Sequence, residues 1–231
     1  MIKNIEFREK SVKSKRKIDI ITKKIFDFIL ENKKYLRMIF FIIRMKKEVT
    51  PDVVLIQYIE NNSEYEEVET DNNLSEFKNL LIEFYKKDID YRRGDLLELL
   101  IFEVAPLKGN VYTECEKIKE AKVYIDGRKL DEKDIDLVCK KNVENKGKEI
   151  ECIECKVSLD NFLKEPLSEV AIKKIEFMLK VKEILNNNGT LSILYFATLT
   201  ESIDQVYEIL ENNGYQEIYI FNASEIVNYL N

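Results

Sequence analysis

The chain of 231 residues contains no histidine. That absence removes Ser/His and Cys/His nucleophile pairs, histidine-ligated zinc and every nuclease built on a histidine general base. Its chemistry must run on carboxylates, lysines, hydroxyls and thiols. Cysteine is scarce: Cys115, Cys139, Cys152 and Cys155 are the four, and their apolar neighbours suit reduced core thiols better than a disulfide framework. Cys152 and Cys155 spell CxxC, but in the strand expected for IECIECKV residues three apart point to opposite faces, so the pair cannot chelate one metal without leaving the strand. Long apolar runs are missing too. The longest, Met38 to Ile43, is six residues, far short of the ~20 that span a bilayer. The charged start MIKNIEFREKSVKSKRK holds no apolar stretch of roughly 7–15 residues such as a secretory signal needs, so a cytoplasmic location with no membrane partner is expected. No GxGxxG or GxxxxGK(S/T) occurs, which leaves a nucleotide cofactor without a cradle.

What is present is a core. With 45% apolar and 35% charged residues, the chain suits one generous domain or two small ones. The net charge of −6 hides an asymmetry: residues 1–48 hold 15 Lys or Arg against 6 Asp or Glu, a balance of +9, so the remainder carries −15. A basic arm on an acidic body fits phosphate binding by counterion release, and fits equally a solvated helix face.

The first 88 residues read mostly helical. Ile18, Ile21, Ile25 and Phe28 recur at helical spacing, and a second apolar stretch, Leu36 to Met45, follows a polar break at Glu31 to Lys34. Thr50 before Pro51 and Asp52 marks a helix start, although VVLIQYI leaves a strand open. Asn73 with Glu76 resembles a capping box, after which Leu74, Phe77, Leu81 and Phe84 line one face. From about residue 89 helices and strands alternate. A helix from Arg92 to Val104 is stopped by Pro106, with Leu97, Leu100, Ile101 and Val104 as its core stripe. Strands are expected over Ala121–Ile125, Ile135–Cys139 and Ile150–Val157. There follow a helix over Ser168–Leu185, a strand over Leu191–Leu199, a helix ending near Asn213-Gly214, a strand over Ile218–Phe221 and a short last helix.

Three features fall in order on this core: Gly94-x-x-x-Glu98 on the first helix, Asp136 at the head of a strand, and Glu154-x-Lys156 on the next strand. At period two Glu154 and Lys156 project from one face, a carboxylate beside an ammonium. Asp136 on a paired strand brings a second carboxylate, a donor set suited to Mg²⁺, which takes few carboxylates and keeps waters and phosphate oxygens. Glu-x-Lys is common in this chain, also at Glu31, Glu76, Glu120 and Glu144. Only at Glu154 does it sit in an apolar strand that follows a strand-borne Asp. A structural salt bridge is the competing explanation, because an ionisable pair in such a strand costs several kcal/mol unless partnered.

At these residues the sequence resembles the PD-(D/E)XK nuclease superfamily, over roughly residues 90 to 231. The resemblance implies an α/β fold, a restriction-endonuclease-like core of a mixed central sheet flanked by helices (89–231) behind a basic, mainly helical N-terminal segment (1–88). It implies a Mg²⁺- or Mn²⁺-dependent nuclease cutting phosphodiester bonds in DNA, with RNA also open, and endonucleolytic action. Asp136 and Glu154 would bind the metal, the Cys155 carbonyl would add a ligand, and Lys156 would be the catalytic lysine. Glu98 would hold a metal-bound water, with Gly94 easing close packing one turn earlier. Ile135 stands where the motif has proline, which leaves Asp134 as a rival to Asp136. Lys13, Lys15, Arg16 and Lys17 on the arm, and Lys173 and Lys174 on the helix after the strand, are the expected phosphate contacts. A homodimer or a larger defence or repair complex is compatible with this reading. The alternative is a non-catalytic nucleic-acid-binding or assembly subunit that keeps the fold.

Overall fold

The computed structural model describes residues 4–11, 17–44, 71–108, 114–143 and 147–231. The first described element is a strand, β1 (Ile5–Glu9), in the segment read as mostly helical. Helix α1 (Ile20–Glu31) starts at Asp19, whose carboxylate accepts from the Ile21 N–H, and it buries Thr22, Ile25, Phe28 and Ile29. A 3-10 turn, Lys33–Tyr35, occupies the expected polar break. It leads into α2 (Leu36–Arg44), which is buried at Leu36, Met38, Ile39, Phe40, Ile42 and Ile43. Helix α3 (Leu74–Tyr85) buries the expected Phe77, Leu81 and Phe84. Its capping box does not form. The Asn73 amide instead donates to Asn32 Oδ1 at 2.8 Å, tying α3 to the end of α1, while Asp71 accepts the Asn73 N–H. Helix α4 (Ile89–Val104) begins three residues before the expected Arg92 and ends at Ala105, ahead of Pro106.

Strands then build the sheet: β2 (Glu116–Ile125), β3 (Arg128–Lys129), β4 (Ile135–Val143) and β5 (Gly147–Lys156). Asp126 and Gly127, both at positive φ, make the tight turn between β2 and β3. β2 starts five residues earlier than hydropathy predicts because Lys117 and Lys119 lay their ammonium groups 5.0 and 3.8 Å from the Phe102 ring centroid, so long charged side chains serve as cover for an aromatic. β4 runs past Cys139 through Lys140 and Lys141, which are paired with Glu116 and with Glu149 and Glu151. A short α5 (Leu159–Phe162) precedes α6 (Glu169–Asn187), which Ser168 caps by accepting from the Ala171 N–H. The chain finishes β6 (Leu191–Thr198), α7 (Asp204–Asn212), β7 (Ile218–Phe221) and α8 (Ala223–Leu230), the last opened by an Asn222/Glu225 capping box.

Among the described residues seven strands form one mixed sheet in the order β1-β2-β4-β5-β6-β7, with β3 beside β2. Pairing is antiparallel as far as β5, then parallel from β5 to β6 and β6 to β7, where α6 and α7 supply the crossovers. Two apolar clusters cover the two faces. One joins α1, α2, α3, α4 and α8 to Leu137, Cys139, Ile153 and Ala197; the other joins α6 and α7 to Val138, Cys152, Leu194 and Phe196. Cys152 and Cys155 accordingly point to opposite faces, and the four cysteines are free thiols. The residues up to 88 are thus not all helical: β1 pairs with β2, Ile5 opposite Ile125 and Glu9 opposite Ala121, at the sheet edge. Among the described residues no helix is long and apolar enough to cross a membrane.

Candidate active site

The side chains singled out by sequence meet where β4 and β5 part. Their paired register ends at Leu137 opposite Ile153. One residue further, Asp136 Oδ2 accepts the Cys155 N–H at 2.8 Å, so a carboxylate stands in for a backbone acceptor at the fork. The alternation of faces explains its aim. On β2 Ile118 and Ala121, and on β4 Ile135 and Val138, all join the cluster under α6 although each pair is three residues apart. The two-residue pleat therefore slips once on each strand, at Glu120, whose φ is 45°, and at Asp136, between the pairs Lys119–Leu137 and Ala121–Ile135.

On β5 the alternation holds. Glu154 and Lys156 share the α6 face, with Lys156 Nζ 2.6 Å from Glu154 Oε1 and 3.2 Å from the Cys155 carbonyl. Glu154 is enclosed, its side chain 3% exposed. Its other oxygen lies 2.6 Å from Lys174 Nζ, which reaches in from α6 and also donates to the Asp134 carbonyl at 2.6 Å. Lys174 therefore does not lie on an exposed phosphate track with Lys173. Lys173 is on the outer face, paired with Glu169 at 2.6 Å, whereas Lys174 is only 12% exposed. The rivalry between the two aspartates resolves spatially: Asp134 faces Lys122 and Lys10 at 3.3 and 3.6 Å, and Asp136 faces the site.

Helix α4 brings Glu98, half-buried, to the same end of the sheet. Burial, reinforced by Asp136, Asp95, Glu120 and Glu154, pushes the Glu98 carboxyl up to about 8. Asp136 is pushed up to about 7 by burial and by Glu154, against the opposing pull of Lys156, Lys174 and the Cys155 N–H. Burial works against the Lys156 ammonium, but Glu154 and Asp136 more than reverse that, so it titrates above its ordinary value. Gly94 does not ease packing. A Cβ there would meet nothing within 4 Å, and the glycine instead borders a cleft of about 430 Å³ lined by Lys10, Tyr91, Asp95, Glu98, Lys119 and Glu120.

Asp95, Glu120 and Lys174 are members of this cluster that sequence reasoning missed or placed elsewhere. The signal for Glu120 was the three-residue apolar step from Ile118 to Ala121, which marks a slipped strand. Lys17 is exposed, while Lys13, Lys15 and Arg16 lie outside the described residues, as do Thr50 to Asp52. Among the described residues no group of three or more Asp, Glu or Cys side chains is arranged to hold a metal ion. The donor set nonetheless suits a hard dication: Glu98, Asp136 and Glu154 offer only carboxylate oxygens, and the mutual repulsion of Glu98 and Asp136 is what such an ion would offset.

No protein-family model matches the chain, and no curated protein matches it. Among solved structures, the crystal structure of protein VC1899 from Vibrio cholerae aligns with a TM-score of 0.46 at 12% identity, over 98% of this chain and 57% of that one, so the chain spans a little over half the length of that protein.

Proposed function

We propose that the protein is a divalent-metal-dependent nuclease acting on DNA, in the manner of the PD-(D/E)XK superfamily. The observation that carries this reading is Asp136, Glu154 and Lys156 together at the fork between β4 and β5, with Glu98 on α4 near enough for both carboxylates to raise its pKa. Asp136, Glu154 and Glu98 would hold Mg²⁺ or Mn²⁺, with the Cys155 carbonyl as a further oxygen donor. When bound, the metal supplies Lewis-acid polarisation of a phosphate oxygen and a more acidic water. The chain's own groups do the rest. Lys156, held as a proton donor by Glu154 and the Cys155 carbonyl, would place positive charge beside the phosphorane oxygens, where negative charge gathers in the transition state. Asp136 fixes the fork through the Cys155 N–H, which keeps Glu154 and Lys156 aimed at one point.

The test is incubation of the pure protein with circular single- and double-stranded DNA in Mg²⁺, Mn²⁺ or EDTA. Cleavage is expected with metal only, and Asp136→Ala or Glu154→Ala is expected to abolish it; Glu154→Ala also leaves the Lys156 and Lys174 ammonium groups without their shared carboxylate, so its melting temperature in EDTA is expected to fall. Undiminished metal-dependent cleavage by either variant rejects the site. One observation favours a second reading. Each Glu154 oxygen already has a lysine ammonium 2.6 Å away, which suits a non-catalytic nucleic-acid-binding or assembly subunit whose cluster is a structural ion-pair network. DNA binding that neither needs nor responds to divalent metal, without cleavage, would establish that reading instead.

A further inference from the structure

Lys174 shares the buried Glu154 carboxylate with Lys156. Glu154, at 3% exposed, has one ammonium 2.6 Å from each oxygen: Lys156 on Oε1 and Lys174 on Oε2. The two lysines differ in their attachments. Lys156 belongs to the same strand as Glu154, donates to the neighbouring Cys155 carbonyl and lies 5.2 Å from the Phe162 ring centroid. Lys174 comes from α6, a separate element, donates also to the Asp134 carbonyl and acts on the Asp134 and Asp136 carboxylates. Because it is anchored on α6, its release from Glu154 breaks no backbone bond of β5.

We propose that Lys174 is a tethered competitor for the divalent cation at Glu154, released when a phosphodiester group offers its ammonium another anion. The inference rests on the metal-site reading above and deepens it. A dication approaching Glu154 meets two ammonium charges within a few ångströms, and in a water-poor site that repulsion is large. Removing the mobile one strengthens metal binding. Because the leaving ammonium needs an anion and a nucleic-acid backbone supplies one, metal and substrate bind with positive coupling, and coupling of this kind is reciprocal. The site is therefore poorly loaded with metal until substrate arrives.

The experiment is Mn²⁺ binding by electron paramagnetic resonance on the full chain, as wild type, K174M, K174Q and K174R, each with and without a phosphorothioate oligonucleotide that resists cleavage. K174M and K174Q are expected to bind Mn²⁺ about tenfold or more tightly than wild type, since one unit charge beside the ion has gone. K174R is expected to match wild type. The oligonucleotide should tighten Mn²⁺ binding several-fold in wild type and little in K174M. Equal or weaker Mn²⁺ binding by K174M and K174Q, with cooperative melting showing that they fold, overturns the competitor role and leaves the metal site standing. Absence of Mn²⁺ binding in every protein overturns the metal-site reading, and this one with it.

Discussion

Glu98 and Asp136 make the site sensitive to pH in a direction opposite to that of ordinary surface carboxylates. In the folded chain they keep their protons up to about pH 8 and pH 7, against ordinary values of 4.5 and 3.8. The folded state therefore holds more protons than the unfolded state across that window, so stability is full below about pH 4 and is lost as pH rises toward 8. Without metal, Glu98→Gln should melt close to wild type at pH 5 and several degrees above it at pH 8.5; for a chain of this length about 2–4 °C corresponds to 1 kcal/mol. Melting curves in EDTA at the two pH values check this, and equal shifts at both would show that Glu98 titrates normally. Lys156 is tested differently. Its proposed role is on the reacting phosphate, so Lys156→Ala should still bind Mn²⁺ and turn over at least ~10²-fold more slowly in single-turnover assays. A near-normal rate would make the lysine structural.

At the scale of the element, β5 does two jobs with two faces. The even-numbered face carries Glu154 and Lys156. The odd-numbered face carries Glu151, fully buried, which accepts from the Leu107 and Lys108 N–H groups at 2.7 and 3.1 Å and from Lys141 Nζ at 2.9 Å. Lys141 is also 2.6 Å from Glu149 and donates to the Lys108 carbonyl. This network pins the segment that leaves α4 onto the sheet, and so fixes the helix that bears Glu98. Glu151→Ala strands two backbone donors and half of a buried ion pair, and should cost about 3–5 kcal/mol. Glu149→Ala, which leaves Lys141 paired with Glu151, should cost clearly less. Urea denaturation of the two variants compares them, and similar losses would deny Glu151 its role as the anchor.

The same strand shows how far sequence reading reached. IECIECKV repeats Glu-Cys at an interval of three, so period two alone sends Glu151 and Glu154 to opposite faces, and the lysine two residues on distinguishes the one at the fork. What period two hides is a slip. Asp136 and Glu120 leave the alternation together, and nothing in either strand alone reveals that the two slips face each other. Charged strands were also shortened in the reading of β2 and β4, because hydropathy does not see a lysine stem covering Phe102. The strand β1 is too short to stand out: IEFRE alternates over only four residues, Ile5 to Arg8, and its single buried residue, Phe7, packs against a cluster formed from distant sequence.

For the whole molecule, the charge of +9 over residues 1–48 against −15 elsewhere is the feature whose two readings, phosphate binding and a solvated face, differ in a measurable way. β1 places the beginning of this arm along the β2 edge, with Lys10 reaching toward Asp134 and Glu120 beside the site. If the arm tracks phosphates, log K for duplex DNA should fall with log salt at roughly −0.9 per phosphate contacted. Replacing Lys13, Lys15, Arg16 and Lys17 by Ala should flatten that slope by several units and weaken all sequences alike, because phosphate contacts carry no base information. Cleavage at low salt and high enzyme should survive. An unchanged slope with impaired self-association would assign the arm to protein contact.

The packing of α8 against α2 and α4, with Lys33 donating to the Leu230 carbonyl, has a consequence for the order in which the molecule is made. The helical layer that carries Glu98 is closed by residues 223–230, and β1 finds its partner only in residues 121–125. At ~5–20 residues per second of synthesis, roughly 6 to 24 s separate the emergence of α4 from that of α8. Through that interval Leu96, Leu97 and Leu100 lack their last covering helix. Closing such long loops is slow, because their entropy is lost before the contacts that reward it form. A nascent chain that has made α4 but not α8 therefore holds the helix bearing Glu98 without its last cover.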